Sequence, residues 1–291
     1  MTEKNIGGSV DTAKKKLQKT NGRKGRVKMN AALWTGLGII IFFLILAVLA
    51  PVLTPYGPDE MMMAYLPPNR EHLLGTNDLG QDIFTEMIYG TRVSMYIGVF
   101  AAVIVTMAGT GLALVSGYFG GKTDQCITAI TNIAMAIPGL PLTVLLVAYL
   151  KPGKWSLIIA MSITAWTGTA RILRARVMQI SQLPFVKIEK TMGVNAGIIL
   201  IKHILPNIKD IILTRGALAV SSAMTTEASL SFLGLGTFGE KSWGSILHFA
   251  FFRNSILKNQ IWWYVPPIIC ISAAVLGFML VGYYGKVRWE V

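Results

Sequence analysis

Long apolar runs alternate with shorter polar stretches along the chain. A run of about 20 apolar residues is long enough to cross the hydrocarbon core of a membrane as a helix. Six runs approach or exceed that length, and they cover residues 31–53, 93–119, 127–150, 155–170, 211–236 and 262–285. The pattern predicts an all-α polytopic membrane protein with six transmembrane helices.

The polar stretches divide the chain further. Residues 1–30 form a lysine-rich tail, and because no small-residue cleavage site follows the first apolar run, we expect a cytoplasmic tail rather than a signal peptide. Residues 54–92 form a long polar segment, residues 93–285 hold the other five spans, and residues 286–291 form a short C-terminus. A charged loop, residues 171–207, interrupts this five-helix core.

Composition and charge agree with a membrane location. Only 14% of the residues are charged, whereas about 25% are charged in ordinary globular domains. The net charge is +13, but Lys and Arg cluster beside apolar runs, which indicates topology and contact with membrane lipid rather than nucleic acid. Nineteen of the 27 Lys and Arg residues fall on one side. The positive-inside rule therefore predicts a multi-pass protein of the cell (plasma or inner) membrane, with both termini and the charged loop cytoplasmic and residues 54–92 extracytoplasmic.

The charged loop contains the short amphipathic stretch "FVKIEKTMGVNAGIILIKHILPN". Pro184 suits the first position of a helix and Gly193 suits its end. A helix of two or three turns is not stable alone, so we expect it to dock, either on lipid or in the groove of a soluble subunit. The apolar residues that share one face of this helix are Phe185, Ile188 and Met192.

No motif for catalysis, nucleotide binding or metal binding is visible. The stretch "SGYFGGKT" nearly matches a phosphate-binding loop, but Ser116 stands where the first glycine is needed, and a membrane span precedes it rather than a strand. The three histidines, His72, His203 and His248, are scattered over both sides of the membrane. We therefore expect no catalytic residue, no metal site and no cofactor bound by this chain.

Three residues inside the apolar runs are candidates for a translocation path. Pro138 and Pro141 should kink the third span, and the kink either exposes backbone to a cavity or is a simple bend. Glu227 either faces the path or accepts hydrogen bonds in a structural role. Arg215 lies about 18 Å from Glu227 along the same helix, so these two side chains cannot pair.

The acidic segment 54–92 also has two interpretations. It forms a docking surface for another protein, or it caps helix ends, with Asp78 and Asp82 supporting a short surface helix. Residues 237–260 are the second candidate for a docking surface outside the cytoplasm.

The charged loop resembles the EAA loop of ABC-transporter permeases. That pattern is Glu-Ala-Ala, three residues, Gly, nine residues and Ile-x-Leu-Pro. The matching residues are Gly193, Leu205 and Pro206. The departing residues are Lys187, Ile188 and Glu189 at the Glu-Ala-Ala positions and His203 at the Ile position. We expect Pro206 to end the second half of the loop and to redirect the chain into the fifth span.

Other motifs narrow the resemblance to the C-type permease of oligopeptide, dipeptide and nickel importers. "HLLGTNDLGQDIFTEMIYGTRVSMYIG" is similar to the signature before the second span, with Asn77 and Gln81 at two positions of the usual Gly-Thr-Asp-x-x-Gly-Arg-Asp. "SGYFGGKTD" and "EASLSFLGLG" followed by "SWG" resemble further signatures, although Lys241 precedes "SWG" where proline is usual. The C-terminal "VGYYGKVRWEV" departs from the usual Gly-Asp-x-Leu-Arg-Asp-like ending.

This resemblance implies the type I ABC importer permease fold and a set of partners. The partners are a homologous second permease, two cytoplasmic ATPases that bind ATP and Mg, and an extracellular or periplasmic substrate-binding protein. The implied function is inward transport of di- or oligopeptides, with no enzymatic activity in this chain. A nickel or metal-chelate importer, and a ligand-sensing membrane scaffold without net transport, are the alternatives.

For the charged loop, the resemblance implies a mechanical role. Movement of a docked ATPase would pass through this loop to the membrane spans. The residues implied in the contact are Phe185, Ile188 and Met192 inside a groove of the ATPase and Lys187, Glu189 and Lys190 around it.

Overall fold

The structure is a computed structural model that describes residues 31–151 and 153–285. The predicted tail, residues 1–30, and the predicted C-terminus, residues 286–291, lie outside the described residues. Within the described ranges the chain is almost entirely helical and contains no β-strand. The all-α prediction is therefore confirmed for this part of the chain.

The helices follow one another with short connections, apart from three longer loops at residues 54–82, 236–242 and 253–260. In chain order they are α1 (Ala31–Leu53), α2 (Ile83–Phe119), α3 (Gly121–Ala136), α4 (Gly139–Tyr149), α5 (Lys154–Ser181), α6 (Pro184–Thr191), α7 (Ala196–Ile199), α8 (Leu205–Leu230), α9 (Trp243–Phe252) and α10 (Ile261–Tyr284). Two π-helical turns adjoin α8, at Leu200–Ile204 before it and at Ser231–Leu235 after it.

α2 is the longest of these helices, and its neighbours surround it. α5 and α8 pack along it, α1 contacts it, and α10 packs against both α8 and α1. Two glycines of α2 allow this close approach, because a Cβ atom on Gly98 would lie 2.5 Å from Met224 Cγ and one on Gly117 would lie 2.7 Å from Val177 Cβ. Small residues at helix contacts are the usual means of tight packing between membrane helices.

The number of spans agrees with the sequence prediction in outline. α1, α2, α5 and α10 are each long and apolar enough to cross a membrane, and α3 with α4 forms a bent pair that makes a fifth span if counted together. The remaining predicted span falls in α8. This helix is long enough to cross but is more polar, since it carries Arg215, Glu227 and several Ser and Thr residues.

Three predicted spans differ from the helices observed. The fourth was expected to end at residue 170, where the charged loop was drawn to begin, but α5 continues to Ser181. The second was expected to begin near Val93, but α2 begins at Ile83, because the Asp82 side chain caps the helix there. The boundary drawn between residues 92 and 93 therefore falls inside a helix. The third was expected as one kinked helix, but the chain breaks at Ile137 and Pro138, and α3 and α4 meet at an 84° bend.

The expected role of Pro206 is wrong. The chain stays helical from α7 through the π turn at Leu200–Ile204 and into α8, so Pro206 lies in the first turn of a continuing helix and does not end a segment. A proline cannot donate the regular i→i−4 hydrogen bond. The π turn ends at Ile204, two residues before Pro206, and the Leu205 N–H bonds to the Leu200 carbonyl. The helix is therefore already irregular where Pro206 lacks an N–H donor.

Candidate functional site

The charged loop folds into an elbow, residues 184–207, at the end of the bundle where α2 and α5 finish. Val186 of α6 is fully buried in one apolar cluster with Tyr118, Val177 and Ile204. Burial of this side chain anchors α6 to the bundle, which stabilises a helix too short to form by itself. The predicted bounds of this helix, Pro184 and the stop at Gly193, agree with the structure.

Three apolar side chains on α6 and directly after it are exposed in the described part of the chain. Phe185 is 41% exposed, Ile188 is 59% exposed and Met192 is 76% exposed. These are the side chains predicted to share a docking face. The elbow therefore combines a buried anchor with an uncovered apolar patch, which is the composition of a contact surface rather than of a free loop.

The charged residues of the elbow are arranged differently from the prediction. Glu189 Oε1 lies 3.0 Å from His203 Nε2, within the elbow itself. Lys190 Nζ donates to the Tyr118 carbonyl at 3.2 Å and lies 3.9 Å from the centre of the Tyr118 ring, where burial lowers the pKa of the ammonium. Of the three charged residues expected around the apolar patch, Lys187 is exposed and makes no such inward contact within the described residues.

Two departures from the EAA pattern therefore face each other. Glu189 stands at an Ala position of that pattern and His203 stands at its Ile position, and the pair links α6 to the π turn. Gly193 makes the turn between these two halves with φ +76°, a conformation that favours glycine. Leu205 is half-buried below the turn and Pro206 is exposed.

The opposite end of the bundle, which we call the loop end, is formed by residues 54–82 and 236–260. The first of these loops folds back on itself where glycines allow it. Gly80 has φ +78°, and a Cβ atom there would lie 2.0 Å from the Met62 carbonyl oxygen. Asp82 caps α2 by accepting from the Thr85 N–H at 2.8 Å, and it also contacts His72 Nδ1 at 3.0 Å. The capping interpretation of this acidic segment thus fits the position of Asp82.

Glu86 is the centre of a polar network at the loop end. Its side chain is only 2% exposed, and its carboxylate accepts from Asn77 Nδ2 at 2.7 Å. The Lys241 ammonium pairs with the same carboxylate and also donates to Gln81 Oε1. A buried carboxylate needs such compensation, because removing a charge from water is costly. The network joins the start of α2 to the loop before α9.

Sequence reasoning missed this network, although it had noted its members. Asn77, Gln81 and Lys241 were each recorded only as departures from the usual family residues. The structure places all three around Glu86. Lys241 is 155 positions from Glu86 in the sequence, so no local spacing could reveal the pair. The only available signal was that three unusual polar residues occurred together in one chain.

A cavity of about 820 Å³ lies beside this network. The start of α2, the π turn Ser231–Leu235, the loop 236–242 and α9 enclose it. Its lining mixes aromatic rings with charged groups, and includes Tyr89, Tyr96, Lys154, Glu240 and His248. The volume is in the range of pockets that hold small organic ligands.

Glu227 is buried and does not line this cavity. Its carboxylate accepts hydrogen bonds from Ser231 Oγ at 2.7 Å and from Ser94 Oγ at 3.3 Å. Ser94 Oγ in turn accepts from the Trp243 backbone N–H at 3.2 Å. These contacts connect α8, α2 and α9, so the geometry favours the structural interpretation of Glu227 over a place on the path.

Pro138 and Pro141 lie at the bend between α3 and α4, and both are exposed. They are not part of the cavity at the loop end. Whether this bend borders a path stays a prediction. Across the described residues, no group of three or more His, Cys, Asp or Glu side chains has metal-binding geometry.

Two family models match the chain. The model described as "Binding-protein-dependent transport system inner membrane component" matches residues 109–285. The model described as "N-terminal TM domain of oligopeptide transport permease C" matches residues 25–68. The first match covers more than half of the chain and includes the elbow, α8 and the loop 236–242.

Curated relatives extend the match to nearly the whole chain. The oligopeptide transport system permease protein OppC of Bacillus subtilis (strain 168) is 36% identical over 281 residues, which cover 96% of this chain and 91% of that protein. The dipeptide transport system permease protein DppC of the same organism is 35% identical over 260 residues, 88% of this chain and 81% of that protein. Among solved structures, an inward-facing form of the MetNI methionine ABC transporter has a TM-score of 0.53 at 15% identity, covering 71% of this chain and 97% of that one, and indicates the fold alone.

Proposed function

Because the chain belongs to the family of binding-protein-dependent transport system inner membrane components, we propose that it is a permease subunit of an ATP-driven importer of di- or oligopeptides. Its fold is that of an ABC importer permease. The observation that carries the choice of peptide is the similarity, over almost the full length, to permeases named for oligopeptide and dipeptide transport. The family is a transport component, and we assign no reaction to this chain.

We infer the orientation from the distribution of charge. Nineteen Lys and Arg residues fall in residues 1–30, at Lys122, in residues 171–209 and in residues 286–291, whereas the segments at the other end of the bundle hold seven. The positive-inside rule therefore places the elbow and both termini in the cytoplasm and the loop end outside the cell membrane. The location that follows is the cell membrane, with several spans.

The uncovered patch of the elbow supports a cytoplasmic partner. Phe185, Ile188 and Met192 would enter an apolar groove of an ATPase that binds ATP and Mg, with Lys187 at the edge of the contact. The buried anchor at Val186 makes α6 move with α2 and α5, so a displacement of the ATPase would reach the spans. A second, homologous permease would complete the path.

The loop end supports a different kind of partner. It is folded, rich in polar groups and placed on the side where a substrate-binding protein would deliver the solute. Residues 54–82 and 237–260 lie together there, so the two candidate docking segments form one surface. The cavity beside Glu86 opens between α2 and the loop 236–242, and we assign it to the region that the solute first reaches.

Uptake by the complete complex in lipid vesicles tests the proposed function. The complex would contain both permeases, both ATPases and the binding protein, with ATP on the ATPase side. We expect ATP-dependent accumulation of a labelled tripeptide and none of a labelled nickel chelate. Accumulation of the chelate instead would support a metal importer. Ligand binding and ATP hydrolysis without accumulation of either solute would support the sensing scaffold.

A substitution in the elbow tests the coupling separately. Phe185→Asp places a charge in the apolar contact and should abolish ATP-driven uptake while the permease still folds, because this side chain is exposed. Phe185→Leu, which keeps the apolar character, is the matched control and should retain most of the uptake. Unchanged uptake by Phe185→Asp would contradict the assignment of this surface.

A further inference from the structure

Residues 237–240 are a short segment of the loop end that few contacts hold in place. No backbone–backbone hydrogen bond joins them to the rest of the described chain. The hydrogen bond from Thr237 Oγ1 to the Glu240 carbonyl, at 2.7 Å, stays within the segment. Phe238 is 86% exposed, so its ring is hardly packed. Segments with few packed side chains and few backbone hydrogen bonds are the ones that open at low cost in free energy.

The residues on both sides of this segment are fixed. Before it, the Phe232 carbonyl in the π turn lies 2.7 Å from His248 Nδ1 of α9. After it, the Lys241 ammonium pairs with Glu86, and the Ser242 side chain caps α9. Residues 237–240 therefore span the gap between two fixed points.

A glycine gives this segment its bend. Gly239 has φ +76°, and a Cβ atom there would meet no atom within 4 Å. The backbone conformation therefore favours glycine at this position, whereas packing does not require it. Because glycine also has the widest choice of backbone conformations, the segment is suited to move between its two fixed ends.

The segment forms one wall of the cavity beside Glu86. All four of its residues line the cavity, and so does Lys154, the first residue of α5. Glu240 Oε2 lies 2.6 Å from Lys154 Nζ, and the same ammonium lies 5.5 Å from the centre of the Tyr96 ring on α2. Within the described ranges, this ion pair is the one polar bond that ties the segment to another element. It therefore joins two walls of the cavity.

The two lysine–carboxylate pairs of this loop differ in exposure. Lys241 pairs with a carboxylate that is only 2% exposed, whereas the side chains of Lys154 and Glu240 are 35% and 48% exposed. An exposed ion pair is weak and is screened by salt. The buried pair fixes the end of the loop, and the exposed pair is weak enough to break and form again.

We propose that residues 237–240 form a lid over the cavity and that the ion pair between Glu240 and Lys154 is the latch that holds this lid closed. When the pair breaks, the segment moves away from α5 and the cavity opens toward the loop end. The inference deepens the proposed function and rests on it for one point, which is that the molecule admitted to the cavity is the transported solute.

The test measures how fast a thiol inside the cavity reacts with a bulky, negatively charged maleimide. Val93→Cys supplies this thiol, since Val93 lines the cavity and differs little from cysteine in size. The chain's own cysteines are removed by Cys126→Ala and Cys270→Ala, and the complex of both permeases and both ATPases is studied in detergent. Glu240→Gln and Lys154→Gln should each raise the reaction rate by about 5-fold, the factor that corresponds to about 1 kcal/mol.

The two variants separate a lid from a local effect of charge. Glu240→Gln removes a negative charge and Lys154→Gln removes a positive one, so an electrostatic effect on the reagent alone would change the two rates in opposite directions. A lid requires that both rates rise. Exchanging the charges, with Glu240→Lys and Lys154→Glu together, should return the rate close to its starting value.

A matched control uses another ion pair at the same end of the bundle. Arg253→Gln breaks the pair of Arg253 with Asp78, 2.7 Å apart, and neither residue lines the cavity. This variant should leave the labelling rate unchanged. High salt should raise the rate in the chain with the intact latch and have little effect in Glu240→Gln, because only the intact pair is there to be screened.

Three results would overturn the inference. Opposite changes in the two latch variants would show an effect of charge on the reagent, and unchanged rates in both would show that this segment does not control access. Labelling with the intact latch as fast as that of Phe238→Cys, at the exposed tip, would show that the cavity is already open. The labelling needs neither ATP nor solute. A complex with a working latch that accumulates no tripeptide would therefore contradict the proposed function and support the lid.

Discussion

The two ends of the bundle satisfy their side chains in opposite ways. At the loop end, the carboxylate of Glu86 is enclosed by Asn77, Gln81 and Lys241, all from this chain. At the elbow, Phe185 and Ile188 are exposed on α6, the helix that the buried Val186 anchors to the bundle. The Glu86 network is satisfied within the chain, whereas the apolar patch of the elbow is left exposed. The loop end also exposes apolar side chains outside this network, among them Phe238 and Leu257.

This difference indicates which kind of partner each end of the bundle is suited to bind. A surface made of internally paired polar groups keeps its shape when a partner leaves, which suits a binding protein that docks and departs. An exposed apolar patch gains stability only when it is covered, which suits a permanent contact with an ATPase. Substitutions in the Glu86 network should therefore change folding stability, whereas substitutions in the exposed patch of the elbow should change assembly.

The largest effect on stability is expected from Lys241→Met. This change leaves the carboxylate of Glu86 buried without its cation and should lower the free energy of unfolding by about 3–5 kcal/mol. The double variant with Glu86→Gln should recover most of the loss, because no buried charge then remains. Denaturant unfolding in detergent measures both.

The exposed pair of Lys154 and Glu240, 2.6 Å apart, supplies the control: Lys154→Met should cost about 1 kcal/mol or less. Equal losses for the two lysines would contradict the comparison.

The next effect concerns the anchor of the elbow. Val186→Ala removes two methyl groups from a fully buried position and should cost about 2 kcal/mol through lost burial and the cavity left behind. Ile188→Ala, on the same helix but exposed, should cost less than about 0.5 kcal/mol. A similar cost for both would mean that α6 is not anchored as described. Thermal unfolding of the purified permease makes the comparison.

A smaller effect is expected from the link between Glu189 and His203. Both side chains are partly exposed, so a double-mutant cycle with Glu189→Gln and His203→Gln should give a coupling energy below about 1 kcal/mol. The coupling should shrink further at high ionic strength, since salt screens exposed charges. A coupling of several kcal/mol, insensitive to salt, would show that this pair is part of the buried core.

The smallest effect on stability is expected from Ile188→Asp. An exposed side chain should change the free energy of unfolding by no more than about 0.5 kcal/mol. The same change should weaken binding of the partner ATPase by about 2 kcal/mol or more, roughly 30-fold, if this side chain fills a groove. Co-purification and affinity measurement in detergent check the second value. Full retention of the ATPase would contradict the contrast between the two ends.

Local signals in the sequence predicted a large part of the architecture. Apolar run length predicted the helical spans, and the Pro184 and Gly193 signals predicted α6, because both depend on residues within a turn or two of each other. The apolar face of Phe185, Ile188 and Met192 was likewise predicted from helical spacing. The functional reading of the elbow came from the resemblance, and its docking role stays a prediction.

The errors have two kinds of physical cause: local backbone geometry that the apolar pattern did not reveal, as at Asp82 and Pro206, and contacts between elements that are distant in the chain, as at Lys190. Pro206 reads locally as a helix end, yet a π turn accommodates it inside a helix that continues into the bundle. The two prolines of the third span predicted a kink within one helix, whereas the helix breaks and α3 and α4 meet at 84°. Lys190 was expected at the surface of the elbow and instead reaches Tyr118, at the end of α2.

The sequence by itself determined that this chain is a helical membrane permease with a short amphipathic elbow, since hydrophobic length, capping residues and local spacing are properties of neighbouring residues. Only the tertiary structure decided which polar groups are satisfied and which are left over. It paired Lys241 with Glu86, enclosed Glu227 among serines and left the Nε atom of Arg215 without a hydrogen-bond acceptor among the described residues. Such pairing depends on the approach of residues far apart in the chain, and in a low-dielectric interior that approach decides whether a charge is stabilised or remains available for a ligand.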